Sequence, residues 1–286
     1  MVQTDFSEIL KKAKDDALKG GIPGMAAMFA QVTTLMWMRT TLNYQYRYGM
    51  SMSTALKTLY NEGGIRRFYR GYSAAIIQGP LSRFGDTAAN SGVMTIMDNY
   101  SVTSTLPIVV KTAFASVGAG LFRIVLMPID TTKTMMQVEG NRGLSLLHQK
   151  IKESGPRVLF HGSLAASLAT FVGHYPWFAT YNILNIKLPT YDNKKLQLLR
   201  NAFIGFMASM VSDTCSNSIR VIKTTRQTVG KEMDYTKIIQ MIVDKDGWGG
   251  LFGRGLKTKI MTNGIQGMLF SVYWKMGQDY MKSKTI

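Results

Sequence analysis

The sequence predicts an all-α membrane protein of six transmembrane helices. They are arranged in three tandem pseudo-threefold repeats, each with a short amphipathic helix between its two spanning helices. Three observations carry this expectation. Glycine-containing markers recur at about ninety residues, each unit holds two apolar segments long enough to cross a bilayer, and the basic residues gather in the loops inside the units.

The period comes first. Gly64 closes Asn61-Glu62-Gly63-Gly64, Gly155 closes Lys152-Glu153-Ser154-Gly155, and Gly247 closes Lys245-Asp246-Gly247, at spacings of 91 and 92 residues. An aromatic residue and a glycine follow each marker, in Phe68-Tyr69-Arg70-Gly71, Leu159-Phe160-His161-Gly162 and Leu251-Phe252-Gly253-Arg254-Gly255. A glutamine ends the apolar run before each: Gln45, Gln137 and Gln227, 92 and 90 residues apart. Three independent markers agree, and the period is too long for a short solenoid repeat. It predicts one domain over 1–286 with repeats at about 20–97, 106–186 and 196–280.

Within each unit the elements read in one order. A first apolar segment covers about 22–45, 108–136 or 198–227. A short amphipathic stretch follows at about 52–61, 143–153 or 235–245, and a second apolar segment at about 72–97, 163–185 or 258–278. Each apolar segment is long enough to cross ~30 Å of hydrocarbon as a helix. Polar residues interrupt several of them and must face protein or water. Small residues at four-residue spacing in the first segments, Gly20/Gly24, Ser116/Gly120 and Gly205/Ser209, allow close helix approach in lipid.

Charge supports the same reading. The chain carries 34 Lys+Arg against 17 Asp+Glu. Such a surplus would suit a nucleic-acid binder if it clustered, but the cations are interleaved with spanning segments, so no nucleic-acid partner is expected. The long intra-unit loops are the basic ones, which sets them on one face of the membrane with both termini opposite. The N-terminal stretch contains Asp5, Glu8, Asp15 and Asp16, unlike an acid-poor transit peptide. A single cysteine and three histidines offer no nucleophilic triad and no metal-ligand spacing, so neither an enzyme nor a cofactor is expected.

The middle unit contains Pro128-Ile129-Asp130-Thr131-Thr132-Lys133, with Gln137 four residues further on. Proline removes a backbone donor and kinks a helix, and Asp130 and Lys133 share a helix face. Together with the threefold period, this motif resembles the signature of the mitochondrial carrier family, and the resemblance covers nearly the whole chain. It implies a solute carrier of the mitochondrial inner membrane, with its termini toward the intermembrane space and alternating access through a central cavity. It also implies that each unit's acid pairs with the next unit's base, and that this ring of pairs closes the matrix side. By that resemblance the matrix gate is Asp130, Lys133, Arg220 and Lys223, with Gln45, Gln137 and Gln227 beside it and Pro128 as the kink.

The outer units depart from the pattern. Aligned on the glutamine, proline, acid and base become Met36, Met38 and Thr41 in the first unit, and Ser218, Arg220 and Lys223 in the third. One family-type pair is left, Asp130 with Lys223. On the opposite side the even helices carry Ala89-Asn90 with Val93, Tyr181-Asn182 with Asn185, and Tyr273-Trp274 with Gly277, which cannot form an ionic ring. This erosion keeps a second reading open: a carrier-fold structural or accessory subunit of a larger inner-membrane (respiratory) complex.

Seven residues before the three acid positions stand Gln31, Arg123 and Asp213. Seven residues return to nearly the same helix face, so all three are expected to point inward, with Arg123 and Asp213 pairing across the cavity. The even segments add Arg83, Asp86, Asn90, His174, Tyr181, Asn182, Lys259, Asn263 and Gln266 as cavity candidates. A local Arg83–Asp86 pair and a packing hydrogen bond from His174 are the plainer readings of those two sites. The resemblance places the family's substrate contact points near Ile77, Ala169-Thr170 and Lys259. It also implies bound cardiolipin at the even-helix N-termini, where Gly71, Gly162 and Gly255 stand. Membrane lipids and a small solute, or a membrane-complex partner, are the expected partners.

Overall fold

The computed structural model describes residues 6–230 and 233–267, and among them it is helical without strands. The elements are α1 (Phe6–Tyr48), α2 (Met52–Phe68), α3 (Tyr72–Asn99), α4 (Ser101–Ser104), α5 (Ile108–Val125), α6 (Met127–Glu139), α7 (Gly143–Ser154), α8 (Ser163–Lys187), α9 (Lys194–Thr228) and α10 (Tyr235–Gly253). A last helix, α11, covers 256–267. The sequence Tyr273-Trp274 with Gly277, and the end of the last apolar segment, lie outside the described residues. The order of long helix, short helix, long helix occurs in the first two units, and α9, α10 and the described part of α11 follow the same order.

No single described helix is long and apolar enough to cross a membrane by length and composition, though the bent pair Val110–Val125 and Met127–Ser154 satisfies that test together. In α3 length is not what fails, since it has 28 residues, or about 42 Å at 1.5 Å per residue. Polar residues inside the spans lower the hydropathy, and these residues build the site.

The long helices pack in a ring. α1 lies against α3, α3 against α5, α5 against α8, and α8 against α9. α11 returns to α9, where Gly264 stands beside Phe206, and to α1, where Arg39 donates to Gln266. Small residues form the close seams: Ser167 donates to the Gly120 carbonyl at 2.9 Å and Ser212 to the Gly173 carbonyl at 2.7 Å. At one end α1, α6 and α9 meet. The apolar core concentrates there, for example Leu42, Tyr46, Val221, Ile238 and Ile242 at the seam of the first and third units.

The proline acts where it survives. α5 ends at Val125, and the chain bends by 65° before running on through Met127–Ser154; Pro128 lies in the first turn of α6, where a missing N–H costs little. At the aligned positions Met36 and Ser218, α1 and α9 run through without a break. α1 also begins well before the apolar run, because the lysines, alanines and acids ahead of it are adequate helix formers outside hydrocarbon.

Gly71, Gly162 and Gly255 precede α3, α8 and α11 with φ of 82°, 84° and 67°, a region costly for residues with a side chain. Each also presses against the first long helix of the next unit. A Cβ at Gly71 would stand 3.0 Å from the Lys133 carbonyl oxygen, and one at Gly162 3.2 Å from the Lys223 carbonyl oxygen. At Gly255 it would meet Leu42 and Tyr46, closing the cycle back to the first unit. Gly71→Ala is expected to cost about 1–2 kcal/mol, read as a lowered thermal midpoint of the detergent-solubilised protein. Gly205→Ala, with open space at its Cβ, is the control expected to lose nothing.

Candidate functional site

Where α1, α6 and α9 converge, Asp130 is the hub. Its Oδ1 accepts from Lys133 Nζ at 2.6 Å, and its Oδ2 accepts from Lys223 Nζ of the third unit. Gln227 Nε2 adds a bond to Oδ2 at 3.2 Å and one to Thr131 Oγ1 at 3.1 Å. A buried carboxylate is tolerable only with such compensation. With no acid at Met38, Lys133 turns to its own Asp130 and to Gln78 Oε1 on α3 at 2.9 Å.

The three seams at this end differ in chemistry. The seam between the second and third units is ionic, through Asp130 and Lys223. Between the first and second it is an amide contact, Asn43 donating to Gln137 Oε1 at 2.5 Å. Between the first and third, Gln45 donates to Met50 of its own unit at 3.1 Å. There Tyr46 donates to Asn217 Oδ1 at 3.2 Å beside the apolar cluster.

Toward the middle of the bundle, Arg123 and Asp213 do not pair, contrary to the expectation from their spacing. Arg123 Nη2 donates to Asp86 Oδ2 at 2.7 Å, so Asp86 also serves Arg123 rather than Arg83. The reason is helix order: α5 packs on α3 and α8, and α8 stands between it and α9. Asp213 accepts from Asn263 on α11, with Arg220 Nη2 at 3.8 Å and Lys259 Nζ at 3.9 Å from its Oδ1. His174 makes a helix-packing bond with Ser116 of α5, at 2.6 Å. Gln31 is buried, and Tyr181 stacks on Trp177 with centroids 5.1 Å apart. Arg83, Asn90 and Asn182 are exposed and stand apart from these contacts.

The side chains of Arg123 and Asp86 are 31% and 22% exposed, those of Arg220 and Lys259 30% and 20%. Bridged ions of this kind, partly open to solvent, mark a wet interior. Of the positions corresponding to the family's contact points, Ile77 is exposed and Ala169 and Thr170 are buried, while Lys259 joins the interior charges. Arg39 was missed by motif alignment. A lone cation inside an apolar run was its signal.

Three cations between units were also missed. Arg67 donates to the carbonyls of Gln137 and Val138 at the end of α6, both at 2.8 Å. Lys150 donates to those of Gln227 and Val229 at the end of α9, at 3.1 and 2.7 Å. Arg254 reaches those of Tyr46 and Arg47 at the end of α1, both at 3.4 Å. Each unit thus places a positive charge on the negative end of the next unit's first long helix.

A ring of helix pairs in three units, a charged latch where three helices converge and a polar interior define the class: a threefold, carrier-type membrane protein. The family follows from comparison. The family model described as mitochondrial carrier protein matches residues 104–192 and 194–284, and the chain belongs to that family. The unit with the most altered signature, the first, precedes the matched segments. The chain is similar to mitochondrial substrate carrier family protein S of Dictyostelium discoideum, at 28% identity over 56% of this chain and 60% of the relative. It is also similar to a mitochondrial adenyl nucleotide antiporter of Oryctolagus cuniculus, at 29% identity over 44% of this chain and 27% of the relative. A mitochondrial carrier of Schizosaccharomyces pombe is 25% identical over 73% and 76%. The first two matches thus span less than two thirds of those relatives' lengths.

Proposed function

We propose that this protein moves a small solute across the mitochondrial inner membrane, with the short helices on the matrix side and both termini toward the intermembrane space. The observation that carries this reading is the Asp130 hub. It ties two units together at one end of the ring, while the charged layer beyond it stays accessible to solvent. The latch is concentrated on one shared carboxylate rather than spread round three seams, so a bound solute that competes for its partners can shift the balance between closed and open. The amide and apolar seams part with less electrostatic cost than a full ionic ring.

Purified protein in liposomes, screened against nucleotides, amino acids and carboxylates, is expected to give saturable exchange of one class. Absence of flux across the panel, with stoichiometric co-purification with a larger membrane complex, would replace the carrier reading with a structural one. Lipid phosphate at the N-termini of α3, α8 and α11, where backbone N–H groups favour anions, is the accompanying proposal. Retention of cardiolipin through purification, seen by native mass spectrometry, tests it.

A further inference from the structure

We propose that Arg39, Arg220 and Lys259 form an anion site between the first and third units, built for a small dianion. On the carrier reading, which this proposal extends, it is where the transported solute docks.

A charge census leads to it. In the polar layer around Asp86 and Asp213 the cations are Arg39, Arg123, Arg220 and Lys259; the buried Lys111 and Arg200 lie toward the starts of α5 and α9, on Asp98 and Asn185. Asp86 is taken by Arg123 at 2.7 Å. Asp213 is then the acid nearest Arg220 and Lys259, and Arg39 reaches the helix that carries Lys259 through Gln266. Three cations against one carboxylate leave two positive charges over. Nor does Asp213 engage its neighbours closely: the distances of 3.8 and 3.9 Å to Arg220 and Lys259 exceed hydrogen-bond length. Its other oxygen is occupied by Asn263.

The hydrogen bonds of the three cations go to neutral groups. Arg39 Nη2 donates to Gln266 Oε1 at 3.3 Å and touches Met28 Sδ at 3.4 Å. Arg220 Nε donates to Ser216 Oγ at 3.3 Å, and Lys259 Nζ to Asn263 Oδ1 at 3.1 Å. Lys259 sits in the field of Arg220, Arg39 and Arg123 as well as of Asp213. Mutually repelling cations inside a bilayer are costly without a counter-charge, and two guanidinium forks with an ammonium suit carboxylate or phosphate oxygens. A surplus of two selects a dianion over a monoanion or a zwitterion.

The site also accounts for an oddity of the third unit. Arg220 occupies the position where the middle unit carries Asp130. A residue that closes one seam by pairing with a cation has become, at the other seam, a cation that repels Lys259 until an anion arrives. The shared chemistry is a compact dianion, and a dicarboxylate and inorganic phosphate are its two sources.

The test uses the full-length protein in detergent, with thermal unfolding followed at constant ionic strength against succinate, inorganic phosphate, acetate and glycine betaine. Succinate or phosphate is expected to raise the midpoint saturably, with acetate and betaine inert; the tighter of the two names the source. Arg220→Gln and Lys259→Gln are each expected to weaken that binding ~10-fold or more. Lys259→Arg should recover most of it, and Lys57→Gln on the exposed face of α2 should bind as the parent does. If Lys259→Gln does not fold, Arg220→Gln and the parent titration still decide. Equal shifts with acetate, or dianion binding unchanged in both glutamine variants, would overturn the site. Flux of another solute in liposomes without dianion binding would overturn the site alone, whereas dianion binding lost in the variants but without flux keeps the site and removes the carrier reading.

Discussion

Asp130→Ala is expected to destabilise the detergent-solubilised protein by about 3–5 kcal/mol, the range for removing one partner from a buried ion network. Asp130 is 5% exposed, and its carboxylate holds Lys133, Lys223 and Gln227 at once. Its loss leaves two ammonium groups facing each other at the convergence of α1, α6 and α9. The cost is Coulombic, which sets the form of the test. Combining Asp130→Ala with Lys223→Met should recover a large part of the loss, because a single lysine with Gln78 as partner remains. The coupling is read from a double-mutant cycle in chemical denaturation. In liposomes the same variant is expected to leak, since the ionic seam between the second and third units is gone. A loss below about 1 kcal/mol, the level of an exposed pair, would show that the hub does not hold this end of the ring.

The parts of this molecule that repeat were legible in its sequence. Among the described residues the ninety-residue period marks where α3, α8 and α11 begin, because glycines with positive φ are marks that a backbone cannot do without. Asp130 and Lys223 were legible because a motif and an alignment fixed both positions on facing helices. The Arg123–Asp86 pair was not. Counting sevens along one helix gives the inward face but not which neighbour stands within reach, and that depends on the order of helices round the ring. Arg67, Lys150 and Arg254 were hidden for another reason. They hold equivalent carbonyl ends from non-equivalent places: Arg67 is four residues before its glycine, Arg254 one before, and Lys150 lies in the short helix α7. Threefold symmetry is kept in what the charge touches and lost in where it is attached.

That shared contact makes Arg67 the second position of large effect. Arg67 is 4% exposed and spends its donors on three acceptors: Glu62 Oε2 at 2.7 Å, and the Gln137 and Val138 carbonyls at 2.8 Å each. The carbonyls are orphan groups at the end of α6, where the next residue, Gly140, follows with φ of 60° and would bring a Cβ to 2.9 Å from Arg67 Nε. The backbone has therefore been thinned to let the guanidinium in. Arg67→Ala removes two charge-assisted bonds across the seam of the first and second units and leaves Glu62 to Tyr44. At about 1.5–3 kcal/mol for a bond to a charged group, the expected loss is about 3–4 kcal/mol. Arg67→Lys keeps the charge but not the fork, which serves two carbonyls and a carboxylate in one plane. It is expected to recover less than half. A lysine variant as stable as the parent would mean that the charge at the helix end, rather than the hydrogen-bond geometry, joins the units. Lys150, which holds the next seam with an ammonium, makes that comparison fair: the chain already uses lysine where its geometry suffices. At Arg67 the guanidinium additionally bonds Glu62 of its own helix α2, across the kink at Gly63 and Gly64, so the two parts of α2 are tied by the same side chain. Protease sensitivity of α2 should rise in Arg67→Ala and not in Lys150→Ala.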